Sequence, residues 1–265
     1  MTVTETPPPA LPMRDKGTTR ALSPMLTRLA EERATGVLVR EHGTLYLAEG
    51  RVVHAESPCS PGLDVLLTAH GTLATAAWQQ AAAQTADPLH AAELLLSAGR
   101  LPAGALELCH LDALYDAGYF TLAPSSTPGR FRYDHAPRLG PLPSVPVVAL
   151  ERETLRRRLL LHRLWPDPAA DSAPLTRAAP RPAAPLTSRQ RAVLDRVDGV
   201  RTATGIARDL GRQAFHTLVD VRRLAAAGLV VPAAPAPAPP RPPLPQVTDP
   251  DIALLKRLRD ALEAL

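Results

Sequence analysis

The stretch TGVLVREHGTLYLAEGRVVHAES, residues 35–57, leaves the chain few conformational choices. Two dipeptides ending in glycine, His42-Gly43 and Glu49-Gly50, punctuate it. Gly tolerates the positive φ that a two-residue hairpin turn requires, so the segment predicts three antiparallel strands in a meander. Two-residue loops also fix the register: Val39 faces Tyr46 and Tyr46 faces Val53, while Leu38 faces Leu47 and Leu47 faces Val52. Side chains alternate faces along a strand. One face therefore collects Val37, Val39, Tyr46, Ala48, Val53 and Ala55, and this all-apolar set is the expected core face. The other carries Leu38, Leu47 and Val52, with Arg40, Leu45 and His54 toward one end.

His54 beside Glu56 raises the question of acid–base chemistry. A general base needs a reacting group within hydrogen-bond reach, and the chain has no GxSxG elbow, no HExxH and no phosphate-cradling glycine loop. The expectation is a structural or surface role for His54, no catalytic residue and no enzyme. His54, Cys59, Cys109 and His110 are the available metal-ligand types. Cys109 and His110 are adjacent and would diverge from a helix, and no CxxC or HxxxH spacing helps. Neither a metal nor a cofactor is expected.

ATGVLV followed by TLYLAEGRVVHA resembles the PATAN domain, a bacterial module marked by a TG-V-L strand, then a strand, an acidic-Gly turn and a strand ending in Ala. Thr35, Gly36, Glu49, Gly50 and Ala55 carry the match. The helical runs at 63–71, 90–102 and 105–122 fit it, and GYFTLAP with GRFRYDHAP reads as a returning hairpin. The resemblance covers about residues 21–140. It implies a signalling or interaction role in bacteria and no enzymatic activity.

Proline divides the rest. The chain holds 30 prolines in 265 residues, about twice the usual share of roughly 5 %. Six fall in residues 166–185 and eight in 232–245, and both segments read as linkers. The expected organisation is a disordered N-terminus (1–20), a PATAN-like α+β domain (21–165), a linker (166–185), a small helical domain (186–231), a second linker (232–245) and an amphipathic helix (246–265). The fold class is α+β. Two cysteines make no disulfide framework, and no run of about 18 apolar residues suggests a membrane span. The start of the chain lacks the apolar core of a signal peptide. A cytoplasmic protein without membrane contact is expected.

Residues 186–231 carry helical apolar spacing. Thr187 and Gln190 form a capping box, Thr202 caps a second helix stopped by Gly211, and a third begins near Gln213 and ends at Gly228. This order resembles the winged helix-turn-helix family, in which the third helix enters the DNA major groove. The resemblance implies Arg201, Arg208 and Arg212 near phosphates, with Gln213, His216 and Thr217 at base edges and Arg223 on the same face. Eight arginines against four aspartates give the sign that phosphate contact requires. Two features weigh against DNA: Asp220 sits within the reading face, and Pro232 cuts off the hairpin of a wing. Protein docking is the alternative use.

The basic helix at 152–165 reads as a domain-closing element with Leu155, Leu159 and Trp165 packed. At the far end, Asp249 and Pro250 open a helix whose stripe is Ile252, Leu255, Leu258, Leu262 and Leu265. So short a helix gains its stability by docking, whether on its own chain, on a second copy or on a different partner. The functional expectation is a bacterial regulatory protein, a transcriptional regulator with duplex DNA as partner. The alternative is a non-enzymatic signalling adaptor in which both domains bind proteins.

Overall fold

The computed structural model describes residues 22–69, 71–85, 87–133, 142–178, 185–233 and 252–263. The chain divides into two units, residues 1–232 and 233–265, and the architecture is mixed α+β. In the first unit, α1 (Pro24–Glu31) leads into the meander β1 (Gly36–Arg40), β2 (Gly43–Ala48) and β3 (Arg51–Glu56). Helices α2 (Leu63–Thr68), α3 (Thr75–Ala82), α4 (Pro88–Ser97) and α5 (Ala103–Thr121) follow. Next come β4 (Arg130–Tyr133), β5 (Val145–Pro146) and the long helix α6 (Val147–Leu164). The antiparallel sheet has the order β4-β1-β2-β3-β5.

The three strands form as expected, but their register and buried face do not. The first turn is Glu41-His42, so Leu38 faces Leu45 and Val37 faces Tyr46. Gly43 is instead the first residue of β2. A Cβ there would lie 2.2 Å from the Glu56 carbonyl oxygen and 2.3 Å from the Thr121 hydroxyl. Glycine at 43 thus permits close approach of β3 and α5 and does not make the turn. Between β2 and β3 the register slips: Leu47 faces Val52, but Tyr46 faces His54. Val53 is the extra residue of a bulge, and Ala55 consequently crosses to the face of Leu45.

The core face is therefore the leucine face. Leu38, Leu45, Leu47 and Val52 are buried against Leu114 and Ala117 of α5 and Leu150 of α6, whereas Val39 is 40 % exposed. Arg40, which made that face look polar at its end, turns its guanidinium to the Ala123 carbonyl just after α5. Fully burying a leucine contributes about 1.5–3 kcal/mol, and a cavity adds to the loss. Leu47→Ala is expected to destabilise by about 3 kcal/mol, and Val39→Ala by less than about 1 kcal/mol. Denaturant unfolding measures both, and the reverse ranking would restore the valine–tyrosine face as the core.

Residues 166–178, expected to be linker, are largely structured. Helix α7 (Ala169–Ser172) and strand β6 (Leu175–Arg177) precede the three helices α8 (Ser188–Arg196), α9 (Ala203–Asp209) and α10 (Ala214–Ala226), which end in β7 (Val230–Pro232). β6 pairs antiparallel with β7. On its other side, Leu175 exchanges backbone hydrogen bonds with Gly199 and Arg201. The small two-stranded sheet beside the three helices thus takes its first strand from upstream, and β7 is paired without a hairpin after α10. Proline did not prevent this: Pro168 and Pro174 flank the elements, where an absent N–H costs nothing. Arg222 fixes α7 by donating to both Asp171 oxygens at 2.7 Å and to the Trp165 carbonyl.

Two helices are shared between cores. α5 contributes Leu106 and Ala113 to the packing of α2–α4, and Leu114 and Ala117 to the sheet core. Its Tyr119 and Phe120 lean on the core of the three C-terminal helices. α6 gives Leu150 to the sheet core and Leu161 to the C-terminal one. Leu159, expected to be packed, is exposed.

The second unit contains α11 (Ile252–Glu263), whose Leu262 is exposed. The side chains of Ile252, Leu255 and Leu258, and residues Asp249, Pro250 and Leu265, lie outside the described residues, as does the N-terminal segment 1–20. Among the described residues no helix is long and apolar enough to cross a membrane.

Candidate functional site

The start of α10, where sequence places a DNA-reading surface, gathers buried and paired polar groups from α5, α6 and α8. The capping box at Thr187 and Gln190 and the Thr202 cap both form. Gly211 adopts φ +60° and closes α9. A Cβ at Gly211 would sit 1.9 Å from Ala69 Cβ, so the α9–α10 turn is wedged against the end of α2.

Helix α10 has no side-chain cap of its own; Gln213 occupies the position without capping. Asp116, on α5 and only 1 % exposed, supplies the cap instead. Its carboxylate accepts from the backbone N–H of Ala214 at 2.6 Å and of Phe215 at 2.9 Å. A carboxylate there satisfies two helix-end donors and meets the positive end of the helix dipole. Arg157 of α6 lies 3.7 Å from Asp116. It also donates to the Tyr115 carbonyl and to Glu153, and stacks over Phe215 at 4.5 Å. Burial nonetheless dominates, raising the Asp116 pKa to about 6 against the lowering effect of the two N–H groups and Arg157. At the solvent edge of this network the hydrogen bond from Arg156, helped by Arg157, lowers Glu153 to about 2.

Beside this latch lies a groove of about 300 Å³ lined by Leu66, Cys109, Asp112, Arg189, Arg212 and His216. Gln213 beside Asp112 favours its charged form, but burial dominates and pushes the Asp112 carboxyl up. Burial likewise pushes the Cys109 thiol up, with help from Asp112. The His216 pKa is lowered by partial burial and by Arg189 and Arg157.

The seven candidate DNA-contacting residues do not share one open surface. Thr217 is 1 % exposed and turned inward, its hydroxyl near the Gln213 carbonyl. Arg212, Gln213 and His216 meet at the groove. Arg201 is paired with Asp198 and Asp209. Arg208 donates to the Pro58 carbonyl at 2.7 Å, and Arg223 is exposed farther along α10. Asp220 does not face outward in a reading surface; it is buried and accepts from Arg189 at 3.1 Å.

Sequence reasoning missed Asp116, Asp112 and Arg157. The signal available was the pair Asp112 and Asp116, one helical turn apart within an otherwise apolar stretch of α5. His54 is not at a polar surface but buried beside Tyr46, its ring stacked at 5.8 Å on that of His110. Burial lowers the His110 pKa to about 4, and the neighbouring His54 adds to the effect. No protein-family model, characterised protein or solved structure compared with this chain matches it.

Proposed function

We propose that this chain is a non-enzymatic regulatory adaptor, in which the helix-turn-helix-like half serves protein contact and not DNA reading. The observation that carries the proposal is the latch: the first turn of α10 is held on α5 by Asp116, with Phe215 and Thr217 buried. A helix that reads bases must present that turn to the major groove. The resemblance of residues 21–140 to a signalling module agrees with an adaptor role.

The exposed arginines favour a second reading, a DNA-binding regulator held closed. Arg208 and Arg223 remain at the surface and Arg212 is only partly covered. The two readings separate in a salt titration of the full-length protein on random duplex DNA, down to about 50 mM salt where phosphate contacts are strongest. The adaptor predicts no salt-dependent binding by wild type or by Asp116→Ala. Binding by wild type with a negative salt slope overturns the proposal. Binding that appears only in Asp116→Ala replaces it with the latched regulator.

A further inference from the structure

Arg40 and Arg212 are the arginines of the first unit with a buried Nη1 that meets no acceptor among the described residues, and Arg212 lines the groove. The Arg212 guanidinium makes no ion pair among those residues either. A guanidinium carries five donors, and a buried one left without an acceptor is unfavourable enough to call for a specific explanation. Its surroundings add to the imbalance. Arg189 stands on the same groove with His216 against one lining carboxylate, Asp112, whose charged form burial disfavours. Arg189 gives one bond to Asp220 and is about half exposed, leaving further donors.

The other groups give the groove an apolar floor. Leu66 and Cys109 supply it, and the space of about 300 Å³ lies at the low end for small-molecule sites. The walls are fixed. Gly211 is wedged on Ala69, and the Arg212 N–H bonds the Ala207 carbonyl.

We propose that this groove binds a small organic oxyanion, a carboxylate or phosphate head on a compact apolar body, with Arg212 as its principal ligand. The head takes the donors that Arg212 and Arg189 turn to the groove, the sealed Nη1 not among them, and the body rests on Leu66 and Cys109. Such a ligand contacts α5 and the α9–α10 turn together, so it tightens the seat of α10 on α5. The proposal stands apart from the adaptor reading: the groove would serve equally as the effector site of a latched regulator.

The test uses the full-length protein with benzoate and phenyl phosphate as probes and phenol as the neutral control, at constant ionic strength. Calorimetry gives the affinity, and mass spectrometry follows iodoacetamide alkylation at Cys109 with Cys59 as internal reference. At least one anion is expected to bind saturably and to slow alkylation of Cys109 but not of Cys59, and phenol to do neither. Arg212→Gln should weaken binding roughly tenfold to a hundredfold, while Arg191→Gln, exposed on α8 outside the groove, leaves it unchanged. Arg212→Lys keeps the charge but loses the planar fork, so it should bind with intermediate affinity; this variant and Cys109 protection decide the matter if the glutamine variant does not fold. The proposal is overturned if neither anion binds saturably at about 10 mM, well above the millimolar scale of a weak site. It is equally overturned if binding leaves Cys109 unprotected, or if folded Arg212→Gln binds as wild type does.

Discussion

Asp116→Ala is expected to destabilise the protein by about 3–5 kcal/mol at neutral pH, the range for removing one partner of a buried charged pair. It strands the N–H groups of Ala214 and Phe215 and leaves buried Arg157 with Glu153 as its remaining ion partner. Asp116→Asn keeps an acceptor without the charge, so its loss should be smaller, and the gap between aspartate and asparagine should depend on pH. The folded pKa of about 6 stands above the ordinary 3.8, so the native state holds a proton that the unfolded chain has released. The contribution of that proton is fully present below about pH 4 and is lost as pH rises through 6. A shift of about two units corresponds to about 3 kcal/mol. Denaturant unfolding of both proteins between pH 4 and 7 should therefore show wild type losing ground to Asp116→Asn as pH rises. A gap that moves the other way would mean that Arg157 and the helix dipole outweigh burial.

Gly50→Val is the second substitution with a large expected effect. Gly50 has φ +76°, and a Cβ there would lie 2.5 Å from the Ala30 carbonyl oxygen and 3.1 Å from the Ala30 and Arg33 Cα atoms. Those contacts are backbone and cannot swing aside, and a β-branched residue resists that φ in any case. The expected loss is about 3 kcal/mol or more, or roughly 6–12 °C in Tm at this chain length. Glu49 provides the contrasting control. It holds φ +48° without being glycine, so Glu49→Gly should be neutral or slightly stabilising. Equal losses at the two positions would show that the turn tolerates neither change for reasons other than backbone conformation.

Local chemistry was legible in the sequence. The Glu49-Gly50 turn, the Thr187–Gln190 capping box, the Thr202 cap and the Gly211 stop are each decided within a few residues, and each forms where the pattern places it. Features fixed by distant partners were not. Gly43 looks like a turn residue, but its lack of a side chain serves the approach of Glu56 and Thr121. The bulge at Val53 leaves no local mark, yet it exchanges the faces of His54 and Ala55. The strand at 175–177 was hidden by the surrounding prolines, because its pairing partners are Val230–Pro232. At the candidate site, Arg212, Gln213 and His216 were visible from helical spacing. What they face was not, because Asp116 lies 98 residues from the N–H of Ala214.

The strand at 175–177 also bears on modularity. A segment cut at residue 186 would contain all three helices and still be incomplete, missing the Leu175 side chain from its interior and the Asp171 carboxylate from Arg222. It would expose the edges of Gly199–Arg201 and of Val230–Pro232 that Leu175–Arg177 joins. The three-helix half is thus not a cassette that recombination could move alone. An inheritable unit would have to carry the upstream strand with it, and to retain the seat of α10 it would need α5 and α6 as well. Duplication or fusion events that preserve this architecture are expected to break the chain after residue 232, in the proline-rich stretch, and not between the two halves of the first unit.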